Sequence, residues 1–397
     1  MQKVKIAEVC TMQSGGTPSR SKSEYYNGTI PWSKISDLEK SNDGYIYKTE
    51  EHITTEGLKS INNRFFKKGT LLLAMYGSVG KTAIAKIDLS TNQAILGINI
   101  KDEAKLDVRY LRFWFTTIKE QLLNRAVGAA LANISLGIVK DLEIPLPPLP
   151  TQQKIATILD KADELRQYNK QLIEKYDALT QSLFLEMFGD PVMNEKGWEK
   201  RKLNEFLEVL VDVGSNGGND WVSANIKMKD EEDYAIMIRT TNLNKNDFKN
   251  NLKYVSKETY DLFKKTKVFG GEIIMNKIGS AGDFWLMPIL NKPVSLGLNQ
   301  LMMTFNNLDK IFFFFFFSTD YGKKIINSKL NGATTKSITK TALRDLDILY
   351  PPINLQNQFA ERVQLIEGQR QQAQEALAKS EELFQSLLQR AFKGELN

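Results

Sequence analysis

Two stretches decide the fold: Gly69-Thr-Leu-Leu-Leu-Ala-Met-Tyr-Gly77-Ser-Val-Gly80 and Gly271-Glu-Ile-Ile-Met-Asn-Lys-Ile-Gly279-Ser-Ala-Gly282. Each is a short apolar run of strand type that ends in Gly-Ser-x-Gly, where glycine supplies turn conformations other residues avoid. They share one glycine spacing, half a chain apart. Downstream of each comes an Asn-Gln pair, Asn92-Gln93 and Asn299-Gln300. A strand running into prolines follows, Asp141-Leu-Glu-Ile-Pro-Leu-Pro147-Pro148 and Asp345-Leu-Asp-Ile-Leu-Tyr-Pro351-Pro352. A long polar-apolar helix then begins at Gln152 or Gln356. Four landmarks recurring in order mark a duplication of whole domains, because the period is too long for a solenoid.

The predicted order is globular domain (1–150), helix (151–190), globular domain (191–354), helix (355–397). Each globular part mixes short β-type runs with a few helices, separated by glycine, asparagine and serine clusters, which predicts α/β (α+β) domains. Tyr110-Leu-Arg-Phe-Trp-Phe and the run 312–317, six consecutive phenylalanines, fall at similar places in the two halves and read as core-facing helices. The run is far too short to span a bilayer and reads as fully buried.

No Gly or Pro interrupts the stretch from Thr151 to Phe188, and Thr151 is a plausible N-cap. Apolar residues recur at three- and four-residue spacing: Ile155, Leu159, Ala162, Ile173, Tyr176, Leu183 and Met187, with Ile158, Leu165, Leu172 and Leu179 widening the face. Phe359, Val363, Ile366, Ala373, Leu377, Ser380, Phe384, Leu387 and Ala391 repeat the pattern. Asn169, Arg166 and Arg370 are polar seam members of the kind that fix register at some cost in stability. Two helices of matched length, about 35 residues or roughly 50 Å each, are expected to pack on each other as an antiparallel coiled coil. Pro191, after Phe188-Gly-Asp, punctuates the first.

Composition removes several classes of function. The 397 residues carry a net charge of +6, which favours a polyanionic partner. One cysteine, Cys10, and one histidine, His52, leave no disulfide framework and too few ligands for a His/Cys zinc site. The N-terminus, Met-Gln-Lys-Val-Lys-Ile, has no signal-peptide pattern, so a cytoplasmic protein with no membrane partner is expected. Gly77-Ser-Val-Gly80-Lys81-Thr82 fails as a phosphate loop, because Met75 stands where that motif needs its first glycine. Asp88 with Glu103 and Lys105 is a loose acidic candidate for a magnesium-dependent nuclease, and a solvated loop is the simpler reading.

The residues suited to DNA lie in polar loops. Thr17, Ser19, Arg20 and Lys22 follow Gly15-Gly16 and lead to Trp32 and Lys34; Arg239 and Asn242 hold the corresponding place in the second half. Tyr76, Gly77, Ser78 and Lys81 surround the first glycine turn. Asn276, Lys277, Gly279 and Ser280 surround the second. Gly128-Ala-Ala-Leu-Ala-Asn133 and Gly332-Ala-Thr-Thr-Lys336-Ser337 are further small polar loops, and Lys336 makes the latter the better candidate. Lysine and arginine neutralise phosphates, whereas asparagine and serine read base edges.

Gly-Gly-Thr-Pro-Ser-Arg followed by Ile-Pro-Trp, the Gly69-to-Lys81 stretch with its Asn-Gln pair, the Leu-Glu-Ile-Pro-Leu-Pro-Pro exit into Gln152-Gln-Lys-Ile, and Ser182-Leu-Phe-Leu-Glu-Met-Phe-Gly-Asp-Pro together resemble the specificity subunit of type I restriction–modification systems over nearly the whole chain. The resemblance implies a non-catalytic, sequence-specific DNA-binding subunit. Two target recognition domains each read half of a gapped target, and the paired helices set the gap and dock two methyltransferase subunits. Those partners bind S-adenosylmethionine and methylate adenine N6. Restriction subunits join with ATP and magnesium, and this chain binds no cofactor itself. The second domain carries Asp212-Val-Gly-Ser-Asn-Gly-Gly-Asn in place of the Gly-Gly-Thr-Pro-Ser-Arg loop, which implies an asymmetric target. Two other readings stay open on the residues alone: a two-lobed helical scaffold that never touches DNA, and a stand-alone nuclease.

Overall fold

The computed structural model describes residues 2–125 and 133–396. The chain forms two compact units, residues 1–173 with 371–397, and residues 174–370. The units take in parts of both long helices, so packing does not follow chain order.

In the first unit a five-stranded sheet runs Cys10–Ser14, Ile95–Ile100, Leu71–Ala74, Thr82–Ala85, Tyr45–Ile46. Leu71–Ala74 and Thr82–Ala85 are buried at every residue, which is why they read as continuous apolar runs without alternation. Both sheet faces are covered. Leu71 and Leu73 join the core containing Tyr110, Phe113, Ile155 and Leu159. Leu72 and Ala74 point the other way, onto Leu38, Phe66 and Leu89, as the two-residue period of a strand requires. A smaller sheet, Glu51–Ile53, Tyr26–Ser33, Ser90–Thr91, carries Trp32.

The second unit repeats this plan. One four-stranded sheet runs Leu207–Asp212, Gln300–Phe305, Ile273–Asn276, Phe284–Leu286, and another runs Lys253–Val255, Ala235–Met237, Val294–Ser295, Lys267–Val268. Ile273 and Met275 face the phenylalanine helix, while Ile274 faces Ile238 and Met302. The strand register corrects one landmark. Leu71 opposes Ile98 and Ile273 opposes Met303, so Gln300 stands where Ile95 stands in the first unit. The two Asn-Gln pairs are therefore not equivalent: Gln93 is exposed ahead of its strand, and Gln300 is buried as the first residue of its own.

The core-facing helices are Val108–Thr117 and Lys310–Ser318. Asp107 caps the first by accepting from the Arg109 and Tyr110 amides, and Asp309 caps the second from Ile311 and Phe312. Within the phenylalanine run, Phe312, Phe313, Phe316 and Phe317 are buried, but Phe314 and Phe315 are only half-buried, so the run is not fully buried as expected. A continuous apolar run on a helix must present some members to its outer side.

The long helices span Leu149–Phe188 and Ile353–Lys393. The first begins ahead of Thr151, which is thus inside the helix and not its cap. Gln152 and Gln356, both fully buried, take the same post in their units. The Gln152 amide nitrogen donates to the carbonyls of Pro147 (2.8 Å) and Lys105 (2.8 Å), and its oxygen accepts from the Asp107 amide (3.0 Å). Gln356 donates to Pro351 (2.7 Å) and accepts from the Asp309 amide (2.9 Å).

In each unit the helices pack antiparallel. In the first, the Asn169 amide donates to Ser380 Oγ (3.4 Å), Lys170 pairs with Glu381 (3.4 Å), and the Arg166 guanidinium lies 4.5 Å over the Phe384 ring. In the second, Arg370 pairs with Asp177 (2.7 Å) and Phe184 and Phe188 pack on Phe359. Of the residues assigned to the seam, Ile155, Leu159, Leu183, Phe359 and Val363 are buried in clusters shared with the globular cores, and Tyr176, Ile366, Leu377 and Leu387 are half-buried. Leu165 and Leu179 are 46% and 49% exposed, so they do not widen it. Gly189, at φ +76°, ends the first helix directly before Asp190-Pro191.

Gln356→Leu keeps the bulk of the side chain while stranding the Asp309 amide and the Pro351 carbonyl in the interior. Denaturant unfolding should show a loss of about 2–4 kcal/mol; an unchanged midpoint would mean that the side chain does not hold the helix to its unit.

Candidate nucleic-acid interface

The glycine turns have the same backbone in both units. Residues Gly77 and Gly279 sit at φ +68° and +86°, and Gly80 and Gly282 at +81° and +98°. The Gly80 amide donates to the Ala74 carbonyl (3.1 Å), as Gly282 does to Asn276 (3.2 Å). The Ile134 amide donates to the Met75 carbonyl (3.1 Å), as Ile338 does to Lys277 (3.0 Å). Each turn is thereby tied to the segment that leads into the proline strand. Tyr76 bridges to Asn133, and Ile278–Gly279 pairs with Lys336–Ser337. Residues 128–132 of the first small polar loop lie outside the described residues.

Space is open at the turn tips. A Cβ on Gly77 or Gly279 would meet no atom within 4 Å, so neither glycine is there to admit a neighbour from its own chain. The left-handed backbone accounts for both. The residue before each glycine is exposed, Tyr76 at 42% and Ile278 at 41%. Ile278 was not singled out by sequence, although counting from Tyr76 through the duplication reaches it. After Gly80 the chain enters the strand Thr82–Ala85, whereas a phosphate loop leads into a helix. Lys81 donates to the Ser41 carbonyl (3.2 Å), and burial first, then the Lys119 charge, lowers its affinity for a proton.

The polar loop of the first unit is stapled by Glu51. Its carboxylate receives Arg20 at 2.8 Å and Lys34 at 2.6 Å. The Arg20 guanidinium also lies 4.5 Å over Tyr26. Thr17 meets Gln93, Ser19 meets Ser21 (2.8 Å), and Lys22 donates to the Tyr25 hydroxyl (3.2 Å). Thr17, Ser19, Arg20 and Lys22 are exposed. The helix Ile35–Lys40 links this loop to the glycine turn, because Lys34 starts it and Glu39 bonds Ser78.

Three other candidates face inward. Trp32 is 1% exposed and donates its indole N–H to the Gly16 carbonyl (3.0 Å), so it anchors the loop from within. Asn242 is buried, and Asn276 is buried with its carbonyl accepting from Thr240 (2.5 Å). Arg239 holds the Asn251 carbonyl. Trp32, Asn276 and Arg239 spend polar groups on their own chain, whereas the Asn242 side-chain oxygen is buried without a hydrogen-bond partner among the described residues, and residue type alone does not separate such positions from base reading. Lys277 is half-buried on the Asp212 carboxylate (2.6 Å), whereas Lys336 and Ser280 are exposed.

Asp212 is a centre that sequence reading passed over. Lys277 and Lys340 (3.0 Å) both reach it, and Ser215 donates to it (2.9 Å). Burial works against its ionisation, but the two lysines and the serine outweigh burial and hold it down to about 2. The nuclease candidates are not assembled in this way. Asp88 takes Lys67 (2.8 Å) and the Lys68 amide, and Lys105 takes Asp102 (3.5 Å). Among the described residues no group of three or more His, Cys, Asp or Glu is placed to hold a metal ion. No helix among them is long and apolar enough to cross a membrane.

The description "Type I restriction modification DNA specificity domain" matches residues 1–175 and again 195–375. The chain belongs to that family. The MjaIX specificity subunit of a type I restriction enzyme from Methanocaldococcus jannaschii is 34% identical over 227 residues, covering 53% of this chain and 52% of that one. The EcoR124I/EcoR124II specificity subunit from Escherichia coli is 28% identical over 167 residues, 40% of each chain. The chain thus spans about half the length of the curated relatives it matches. A crystal structure of a type I restriction–modification S subunit from M. genitalium shares the fold, with a TM-score of 0.62 at 16% identity over 98% of this chain and 96% of that one.

Two outcomes follow for this family member. Trp32→Ala should lower stability by about 3–5 kcal/mol in chemical unfolding; a variant as stable as the parent would return Trp32 to the surface candidates. Asp212 has a folded-state pKa below that of an unfolded aspartate, so its stabilisation is full above about pH 5 and is lost as pH falls towards 2. Unfolding between pH 5 and 2 should therefore be shallower for Asp212→Asn than for the parent chain.

Proposed function

We propose that this chain is the sequence-specific DNA-binding specificity subunit of a type I restriction–modification complex, itself without catalytic activity. The observation that carries the proposal is the family match occurring twice, on two units built on one plan, each with a protruding glycine turn. Each unit reads one half of a bipartite, gapped target. The exposed set Thr17, Ser19, Arg20, Lys22, Tyr76 and Gly77 with the half-buried Ser78 serves one half, and Gly279, Ser280 and Lys336 serve the other, with Lys34, Lys81 and Lys277 behind them. Because the polar loop and the residue before the turn glycine differ between units, the halves read differ and the target is asymmetric.

The chain directs its partners: two methyltransferase subunits that bind S-adenosylmethionine and modify adenine N6, and restriction subunits that use ATP and magnesium. It holds no cofactor and works in the cytoplasm. An adenine inside a duplex is out of reach of a methyltransferase pocket, so the partner must extrude it while this chain keeps the flanking duplex in register. The scaffold and nuclease readings explain neither the family match nor its repetition.

A genome-wide map of N6-methyladenine with and without this gene tests the proposal. One gapped, asymmetric motif should vanish on deletion, and Tyr76→Ile should alter only one half of it. A motif that loses specificity in both halves on that single substitution would contradict division of the target between the units. The purified chain should bind duplex DNA with affinity that falls steeply with salt.

A further inference from the structure

We propose that Lys277 and Lys340 form a seat for one DNA backbone phosphate in the second unit, with the Asp212 carboxylate as the positioning group that holds both ammonium groups in place. The proposal rests on the DNA-binding reading above and adds a site to it.

The starting point is a charge imbalance. One carboxylate receives two lysines, Lys277 at 2.6 Å and Lys340 at 3.0 Å, so the cluster keeps a net positive charge. The Asp212 side chain is 6% exposed, while those of Lys277 and Lys340 are 34% and 33% exposed. The negative partner is therefore hidden and the positive ones face outward. Each ammonium has three donors. Lys340 spends two, on Asp212 and on Ser215 Oγ (3.0 Å), and Lys277 spends one on Asp212. Of the six ammonium N–H groups three are spent in this way, and the other three are available to an oxyanion.

The sister unit shows that the fold does not need these charges. Asp212 ends the strand Leu207–Asp212, and Ser14 ends Cys10–Ser14. Lys277 and Met75 each give their carbonyl to the isoleucine that follows the small loop. Lys340 and Leu136 are each the first residue of a short helix capped by Thr339 or Ser135. The first unit thus fills the same three posts with Ser14, Met75 and Leu136, and Met75 is buried in its core with Leu136 packed beside it. Apolar packing commonly stabilises such a site as well as buried ions do, so stability does not account for three charged groups in one copy. Their place does: Lys277 leads directly into the exposed Ile278-Gly279-Ser280 turn, and Lys336 is exposed on the strand paired with it.

The test is a salt titration of the full chain binding a mixed-sequence duplex, which isolates backbone contacts from base reading. Against the parent, Lys340→Met and Lys277→Met should each weaken binding and reduce the slope of log K against log salt by about 1, and Lys340→Arg should restore it. Asp212→Asn removes a negative charge, so simple attraction expects tighter binding; the seat expects weaker binding, because the ammonium groups lose their anchor. Thermal unfolding of each variant verifies that it is folded, and Lys340→Met decides the matter if Asp212→Asn is not. An unchanged slope in Lys340→Met, or tighter binding by folded Asp212→Asn, overturns the seat. A parent chain with no salt-dependent binding overturns the DNA reading itself, and so is told apart from failure of the seat alone.

Discussion

Each unit depends on one buried primary amide. Gln152 and Gln356 lie at the start of the long helices, and each closes the junction where the proline strand, the core-facing helix and the long helix meet. The junction offers an amide hydrogen on one side and one or two prolyl or loop carbonyls on the other, around a side chain that is 0% exposed in both units. A side chain there must accept and donate at once and must reach across a turn, and glutamine does both. An unpaired buried group costs about 1–3 kcal/mol, so the loss of either glutamine falls on the cap of the helix that fills the core. Asp309 illustrates the tension: burial raises its pKa, against the two helix amides that favour its charge.

Much of the fold could be read from the sequence because backbone demands leave fixed marks. Left-handed turn positions select glycine, helix starts select aspartate, and the junction selects glutamine, so the duplication stood out although side chains around those marks differ. What could not be read was register. The Asn-Gln pairs look alike along the chain but sit on opposite sides of a strand start, because only the hydrogen-bonded pairing of Leu71 with Ile98 and Ile273 with Met303 fixes the offset. The candidate interface suffered from the same ambiguity. A tryptophan or asparagine suited to DNA is equally suited to the interior: Trp32 donates to the Gly16 carbonyl, the Asn276 side-chain oxygen accepts from Thr240, and Asn242 is buried.

The phenylalanine run gains a partial explanation from comparison of the units. In the first, Arg112 lies within its helix and meets Asp160 (3.3 Å) and Asp163 (3.9 Å) of the long helix. In the second, no ion pair holds the corresponding helix among the described residues. Phe315 packs against Phe359, and Phe312 against Phe184 and Phe188. One unit adds a charged bridge to the apolar packing of its core helix on the long helix, and the other packs rings there. Ring contacts tolerate many edge and face geometries, so several phenylalanines serve where a directed bridge would demand specific partners. Why all six positions carry the same residue has no physical account in these contacts.

The two copies thus keep a common frame and diverge where the frame does not constrain them. The turn backbone, its bond to the following isoleucine and the glutamine junction recur; the exposed residue before the turn glycine, the polar loop and the charge beneath the turn do not. A pair of units that must bind two different ligands with one mechanical design would diverge in this pattern, since altering the frame costs stability in both states while altering an exposed tip costs little. Divergence among surface loops alone would also arise by neutral drift. The buried Asp212 with its two lysines is harder to obtain that way, because Asp212 without either lysine leaves a charge uncompensated in the interior. The charge beneath the second turn is therefore the strongest sign in the structure that the copies have been shaped for different work.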